Sequence, residues 1–310
     1  MKSNRPRVVV LGSINMDLVI QSPRIPIPGE TLLASSSTEF CGGKGANQAV
    51  AAARAGGDVA MIGAVGGDGF ASRLIENLRT NNIDFQHVRR RDDVASGLAV
   101  IAVDDNGQNA IMVVPGANAL ISVEDVERSR ELIQDADILL LQLEIPVEAV
   151  TAGVEIAKQS ETRVMLDPAP AIANLPPHLL DVDLLCPNER EAQVITGMQV
   201  GTDEQVSAVA KVLQQRGATH VAVTLGEGGT HLRSDGQSQL FPSFKVGVAD
   251  TTAAGDAFAG TLAVKWSEGE TLPDAIRWAN AAGAMAATRR GAQASMASGE
   301  EVQSFLESHI

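Results

Sequence analysis

Aromatic side chains are scarce: the 310-residue chain has no tyrosine, two tryptophans and seven phenylalanines. A nucleoside held against stacked rings is therefore an unusual expectation, and any wall for a base would have to be aliphatic. Cysteine is scarcer still. Cys41 and Cys186 stand far apart with no second ligand nearby, which excludes a disulfide framework or a zinc site and suits a reducing compartment. The five histidines show no metal-ligand spacing. No apolar run approaches the ~18 residues that a membrane helix requires. The basic start Met1–Arg7 is followed by only four apolar residues, Val8–Leu11, too short for a signal-peptide core. A cytoplasmic protein is expected. Basic charge is also in deficit, 24 Lys and Arg against 38 Asp and Glu, and the net charge of −14 argues against nucleic acid or an anionic membrane as partner. The one basic run, Arg89-Arg90-Arg91, precedes Asp92-Asp93 and reads as a self-neutralised surface strand or turn.

With 45% hydrophobic residues the chain can bury a sizeable core. Short apolar runs at Val8–Leu11, Val59–Ile62, Ile138–Leu141, Val164–Leu166, Leu184-Leu185 and Val221–Val223 read as buried strands. Helical patterns at Ala46–Ala55, Ala71–Thr80, Pro146–Gln159, Glu189–Thr196 and Glu204–Gln215 lie between them. This alternation predicts an α/β fold, a doubly wound, mostly parallel sheet with helices on both faces. Two stretches break the pattern. Residues from about 18 to 40 are rich in Pro, Ser and Thr, and residues 97–114 alternate around an Asp104-Asp105-Asn106-Gly107 turn. Together they predict a small β-sheet lid inserted into a single domain spanning 1–310, with a ligand or a second copy to cover it.

Ligands of such folds bind in the loops after the strands, and the chemistry-bearing motifs all fall there. Asp250-Thr251-Thr252-Ala253-Ala254-Gly255-Asp256 runs through small residues into an apolar helix. Bare N–H groups at that helix start would attract an anion, and Asp256 beside them could take a proton from a hydroxyl. The combination points to phosphoryl transfer to an alcohol; a capping Asp after a flexible loop is the plainer alternative. Gly42-Gly43-Lys44-Gly45-Ala46-Asn47-Gln48 opens another helix, with donors on Lys44 and Asn47 one turn apart. Gly45 follows the lysine and Thr38 occupies the place of a first glycine, so this is not a Walker A loop. Tight packing accounts for Gly42 and Gly43 but not for Lys44 and Asn47.

Gly12-Ser13-Ile14-Asn15-Met16-Asp17 lacks the second and third glycines of a dinucleotide fingerprint. Asn15 and Asp17 suit hydrogen bonding to vicinal hydroxyls, with an Asx-capped turn as the structural alternative. Glu144 closes a buried strand on the same side. Asn188 and Glu191 lie one helical turn apart, where they could hold water around Mg²⁺, form a capping box, or both. Thr224-Leu225-Gly226-Glu227-Gly228-Gly229 is a tight small-residue turn beside which a nucleotide could lie, although any hairpin could use it.

Taken together, these segments resemble the PfkB-type carbohydrate kinases from Gly12 to about Ser295. The likeness is carried by Gly-Ser-Ile-Asn-Met-Asp at 12–17, Gly-Gly-Lys-Gly-Ala-Asn-Gln-Ala at 42–49 and Leu-Gln-Leu-Glu at 141–144. Pro-Asn-Glu-Arg-Glu-Ala at 187–192, Val-Thr-Leu-Gly at 223–226 and Asp-Thr-Thr-Ala-Ala-Gly-Asp-Ala-Phe at 250–258 complete it. The resemblance implies an ATP-dependent kinase acting on the primary hydroxyl of a sugar, D-ribose giving ribose 5-phosphate being the first expectation. Kinases for 2-deoxyribose, another sugar or a nucleoside are alternatives, and a non-catalytic sugar-binding regulator is the alternative from another class.

It further implies a sugar site of Asn15, Asp17, Gly42, Gly43, Lys44, Asn47 and Glu144. Asp256 would be the general base, with an anion hole from the N–H groups of Ala253, Ala254 and Gly255. ATP would lie against Asn188, Thr224, Leu225, Gly226, Glu227, Gly228, Gly229, Gly255 and Asn280. Mg²⁺ would be held near Asn188 and Glu191. An activating K⁺ is implied at Asp250, Thr252, Ala286, Arg289, Gly291 and Ser295, several of them through carbonyls. A homodimer through the β lid is implied as well. Ala253 departs from the family, which usually has glycine there, and the hole is expected to survive if Ala253 need not adopt φ > 0.

Overall fold

The computed structural model describes residues 5–309; the basic lead-in at 1–4 lies outside the described residues. Thirteen strands are found among them. In chain order they are β1 (Arg7–Leu11), β2 (Asn15–Gln21), β3 (Ser36–Gly42), β4 (Asp58–Gly66), β5 (Asp84–Arg91), β6 (Gly97–Val103) and β7 (Asn109–Val114). They continue with β8 (Ile138–Leu141), β9 (Arg163–Leu166), β10 (Leu184–Leu185), β11 (His220–Thr224), β12 (Thr230–Ser234) and β13 (Gln237–Phe241). The helices are α1 (Lys44–Arg54), α2 (Gly69–Thr80), α3 (Val123–Glu127), α4 (Arg130–Gln134), α5 (Val147–Ala157), α6 (Glu189–Thr196), α7 (Asp203–Gln215), α8 (Ala254–Ser267), α9 (Leu272–Ala287) and α10 (Gly299–Glu307).

Nine strands form the main sheet in the order β13-β12-β11-β10-β9-β8-β1-β4-β5. From β11 to β5 every pairing is parallel, and β12 and β13 add an antiparallel edge. The period of two along each strand divides the core between the two faces. Val8, Val10, Ile138 and Leu140 pack with α1, α2, α8 and α9, whereas Val9, Leu11, Leu139 and Leu141 pack with α3, α5, α6 and α7. That is why these runs are apolar without alternation: both faces are dry, and each buried Leu, Ile or Val contributes about 1.5–3 kcal/mol.

A second sheet of four strands, ordered β3-β2-β6-β7, stands beside the first. The hairpin expected at 97–114 forms, with Asp104 Oδ1 accepting from the Asn106 and Gln108 N–H groups at its turn. Its partner segment starts earlier than expected. Asn15 and Asp17 lie on β2, paired with Gly42 and Phe40 of β3, and not in a turn after β1. The arginine run also differs from its expected self-neutralisation. Arg90 pairs with Asp92 at 2.7 Å, but Arg89 and Arg91 reach across to Asp125 in α3. On β7, Ile111, Met112, Val113 and Val114 are exposed, so the small sheet presents an uncovered apolar edge.

Helix starts differ in whether the N-cap side chain holds their first amides. α2, α3, α6, α7, α9 and α10 open on a side-chain cap from Asp68, Ser122, Asn188, Thr202, Thr271 and Ser298. α4 and α5 open without such a cap, and so do α1 and α8, on Gly43 and Ala253. Both residues have positive φ, 88° and 58°.

Candidate active site

β1 lies between β8 and β4, where the chain order of the sheet reverses, and ligand sites of open parallel sheets form at such a point. Only three residues, Gly12–Ile14, separate β1 from β2. The start of α1 then comes back against this crossing. A Cβ on Gly45 would stand 2.6 Å from the Gly12 carbonyl carbon, and one on Gly42 would overlap the Asp17 carboxylate at 2.0 Å. Glycine at 42 therefore makes room for Asp17, and glycine at 45 allows α1 to abut the end of β1.

Glu144 lies just beyond β8, where it accepts hydrogen bonds from Ser13 Oγ at 2.5 Å and the Lys44 N–H at 3.2 Å. Asn15 is fixed by Asn118, whose Nδ2 donates to Asn15 Oδ1 at 2.7 Å. On α8, Asp256 is 5% exposed, and its carboxylate accepts two amide hydrogen bonds. Asn47 Nδ2 donates to Oδ2 at 2.9 Å, and Gln48 Nε2 donates to Oδ1 at 3.1 Å. The same Gln48 Nε2 donates to Asp167 Oδ2 at 2.7 Å, and the Lys44 ammonium lies 3.9 Å from that oxygen.

The electrostatics follow from this crowding. Burial, then Glu144 and Asp256, push the Asp17 carboxyl up to about 7. Burial likewise raises Asp167 and Glu191 above the ordinary carboxylate range, with acidic neighbours adding to it. Burial opposes the Lys44 ammonium, yet Asp167, Asp256, Glu144 and Glu191 together hold it above its ordinary value. One lysine thus faces an excess of carboxylates, an environment that favours further positive charge.

Beside this cluster a cavity of about 780 Å³ opens. Lys44, Asn188, Glu191, Thr224, Gly226, Glu227, Gly229, Ala254, Gly255 and Asn280 line it. Leu225 and Gly228 belong to the same turn but do not line the cavity. Asn280 is held at the wall, accepting from Thr230 Oγ1 at 2.6 Å. Asn188 and Glu191 form a full capping box, with Asn188 Nδ2 also donating to Glu191 Oε1 at 2.8 Å. At the start of α8, Ala254 N–H turns back to the Thr251 carbonyl at 3.2 Å. Ala253 adopts φ 58°, so the condition set for it in the sequence is not met: its N–H is present, but its backbone is in the left-handed region.

The segment implied for a monovalent cation is gathered around Asp250. Its carboxylate accepts from Thr252 N at 2.9 Å, Thr252 Oγ1 at 2.6 Å and Gly291 N at 3.0 Å. Those bonds hold Asp250 below the ordinary carboxylate range although burial opposes them. The Arg289 side chain points away to Glu301 at 2.7 Å, leaving its main chain on this side, where its N–H meets the Ala286 carbonyl at 3.1 Å. Buried Ser295 donates to the Ala292 carbonyl at 2.7 Å. An ionised carboxylate, a hydroxyl and carbonyl oxygens form a donor set that suits a hard cation.

Sequence reasoning passed over Asp167, Gln48 and Gln142. Asp167 follows β9 as Glu144 follows β8, so the rule that flagged one carboxylate at a strand end would have found the other.

Parallel sheet, carboxylate cluster and uncapped helix start beside a cavity define a small-molecule phosphotransferase. The pfkB family carbohydrate kinase profile matches residues 5–298. The chain is 38% identical to a ribokinase of Haemophilus influenzae, over 98% of this chain and 99% of that one. It is 36% identical to a deoxyribokinase of Salmonella typhi, over 96% and 98%. The structure of Arabidopsis thaliana ribokinase complexed with ribose and ATP superposes with a TM-score of 0.89 at 32% identity, covering 98% of this chain and 99% of that one. The chain belongs to the pfkB family of carbohydrate kinases.

Proposed function

We propose that this protein transfers the γ-phosphoryl group of ATP to the primary hydroxyl of D-ribose, giving ribose 5-phosphate. The observation that carries this reading is Asp256. Its carboxylate is buried, accepts only amide hydrogen bonds, and stands in the first turn of an uncapped helix whose N–H groups face a nucleotide-sized cavity. Both amide partners can only donate through nitrogen, so the carboxylate keeps lone pairs for a substrate proton. It acts as general base on the sugar hydroxyl. The N–H groups of Ala253, Ala254 and Gly255 receive the charge of the transferred group, and the main term is alignment with charge stabilisation.

Asn15, Asp17, Gly42, Gly43, Lys44, Asn47 and Glu144 hold the sugar. Asn188, the 224–229 turn, Gly255 and Asn280 hold ATP. The acidic surroundings of Asn188 and Glu191 fit Mg²⁺ held through water, and the Asp250 loop fits K⁺. Magnesium would neutralise phosphate charge, and Lys44 would share that task from the sugar side. The small sheet serves as a lid that excludes water, and its exposed β7 face is covered by a second copy in a homodimer. Among the described residues no helix is long and apolar enough to cross a membrane, and the cytoplasm is the compartment that fits the free thiols.

The deoxyribokinase likeness makes 2-deoxyribose the second reading. ADP release from ATP and Mg²⁺ with ribose, 2-deoxyribose, fructose and adenosine, each with and without K⁺, separates them. Ribose preference that rises with K⁺ is the expected result. Preference for another acceptor moves the substrate, and no turnover on any of the four overturns the reading in favour of a binding protein.

A further inference from the structure

Five side-chain amides lie behind Asp256, and all point the same way. In one branch Gln142 Nε2 donates to Gln48 Oε1 at 2.5 Å, and Gln48 Nε2 donates to Asp256 Oδ1 at 3.1 Å. In the other, Asn77 Nδ2 donates to Gln293 Oε1 at 2.7 Å, and Gln293 Nε2 donates to Asn47 Oδ1 at 3.0 Å. Asn47 Nδ2 then donates to Asp256 Oδ2 at 2.9 Å. Every amide delivers its NH₂ toward the carboxylate, and Gln48, Gln293 and Asn47 each accept from the amide behind. Aligned hydrogen bonds of this kind polarise one another, most where water is excluded. Gln48, Gln142 and Gln293 are buried, and none of the three lines the cavity.

We propose that Gln48 and Gln293 are positioning residues for phosphoryl transfer, Gln48 fixing Oδ1 of Asp256 directly and Gln293 locking the orientation of Asn47, the amide that fixes Oδ2. This rests on the assignment of Asp256 as base. The branches start in different parts of the chain, one just after β8 and the other in α2 and the segment after α9, and they end on neighbouring residues of α1. They therefore hold the carboxylate in position and rotation together, which a single bond could not do. Gln48 has a second task, since its one NH₂ group also bonds Asp167 and so ties the counterion of Lys44 to the base. The charged groups that face Asp256 are Lys44 of α1, Asp17 of β2, Asp167 after β9 and Glu191 of α6. None of them belongs to either branch, so reversing a branch changes hydrogen-bond direction without removing any of those charges.

The test uses three variants of the full chain, with thermal melting at each pH to establish that they are folded. Gln48→Met removes both donors and fills the same space. It is expected to lower kcat at least tenfold with the sugar KM within about threefold of the parent. Gln293→Glu keeps the shape but has no hydrogen to donate to Asn47 unless its carboxyl is protonated. Its kcat relative to the parent should fall at least tenfold between pH 5.5 and pH 8.5, whereas the ratio for Gln293→Leu should stay flat. A merely structural role would leave both ratios flat once folding is accounted for. Parent kcat in folded Gln48→Met, a loss confined to KM, or a flat ratio for Gln293→Glu overturns the proposal while leaving the kinase reading in place. An inactive parent overturns both.

Discussion

Ala253 is the one residue of the proposed anion hole that departs from the family, and its backbone is the one most exposed to test. At φ 58° and ψ 13° it is a left-handed alanine at the start of α8. A left-handed conformation costs an L-residue roughly 1–2 kcal/mol relative to glycine. Ala253→Gly relieves that cost but frees the unfolded chain, which takes back about 0.4–1 kcal/mol. The net expectation is a stabilisation of about 0.5–1 kcal/mol. An unfolding entropy of about 2.1 cal/mol/K per residue makes this a rise of roughly 1–2 °C in Tm for a chain of this length. Ala253→Val is the opposite perturbation, because a branched Cβ clashes with its own backbone at φ 58°, and it should lower Tm by several degrees. Differential scanning calorimetry of the three proteins in one buffer reads both effects, and sugar-kinase kcat of Ala253→Gly should stay within about threefold of the parent. A fall in Tm for Ala253→Gly together with a neutral Ala253→Val would refute the left-handed assignment and the strain built on it.

Three further outcomes are expected. Asp256→Asn should retain sugar binding by calorimetry while kcat falls by roughly 10²–10⁴, the range for losing a general base; near-parental kcat would remove Asp256 from that role. Asp17, with its carboxyl near 7 when folded against 3.8 ordinarily, holds its proton more tightly in the native state, so its contribution favours folding at low pH and is lost as pH rises from about 4 to about 7. Asp17→Asn should remove that part of the slope, worth up to about 4 kcal/mol, and unchanged pH dependence of unfolding in urea would contradict it. Met112→Glu on the exposed β7 face should convert the proposed homodimer into a monomer by light scattering; a parent already monomeric would remove the proposed interface.

The fold was legible because burial on both faces leaves a plain mark. Val8–Leu11 and Ile138–Leu141 are apolar without alternation, and helices separate them, which only a covered parallel sheet accommodates. The small sheet was read less well at its start. Asn15 and Asp17 are polar, and polar residues after a strand imitate a turn even when the backbone stays extended. Glu144, Lys44, Asn47 and Asp256 could be singled out one by one from strand ends and helix starts. Their convergence could not, since Asn47 and Asp256 are 209 positions apart and meet only through the packing of α1 on α8. Gln48 and Gln293 carry no periodic or charge signal at all, because what distinguishes them is the direction of a hydrogen bond. Ala253 marks the other boundary: the sequence shows a side chain where glycine is usual, but only the backbone angle shows that this alanine occupies a glycine's conformation.

The uneven capping of the helices has a consequence in time rather than in energy. Where Asp68, Asn188 or Thr202 occupies the first amides of a helix, those hydrogens are shielded from solvent whether or not anything is bound. At the start of α8 no side chain does so, and its first-turn hydrogens should be among the fastest in that helix to exchange for deuterium in the free protein. An anion settling on α8 would slow that clock there and leave the capped helices as they were, so the resting molecule already records, in its exchange rates, which of its helix starts are kept open.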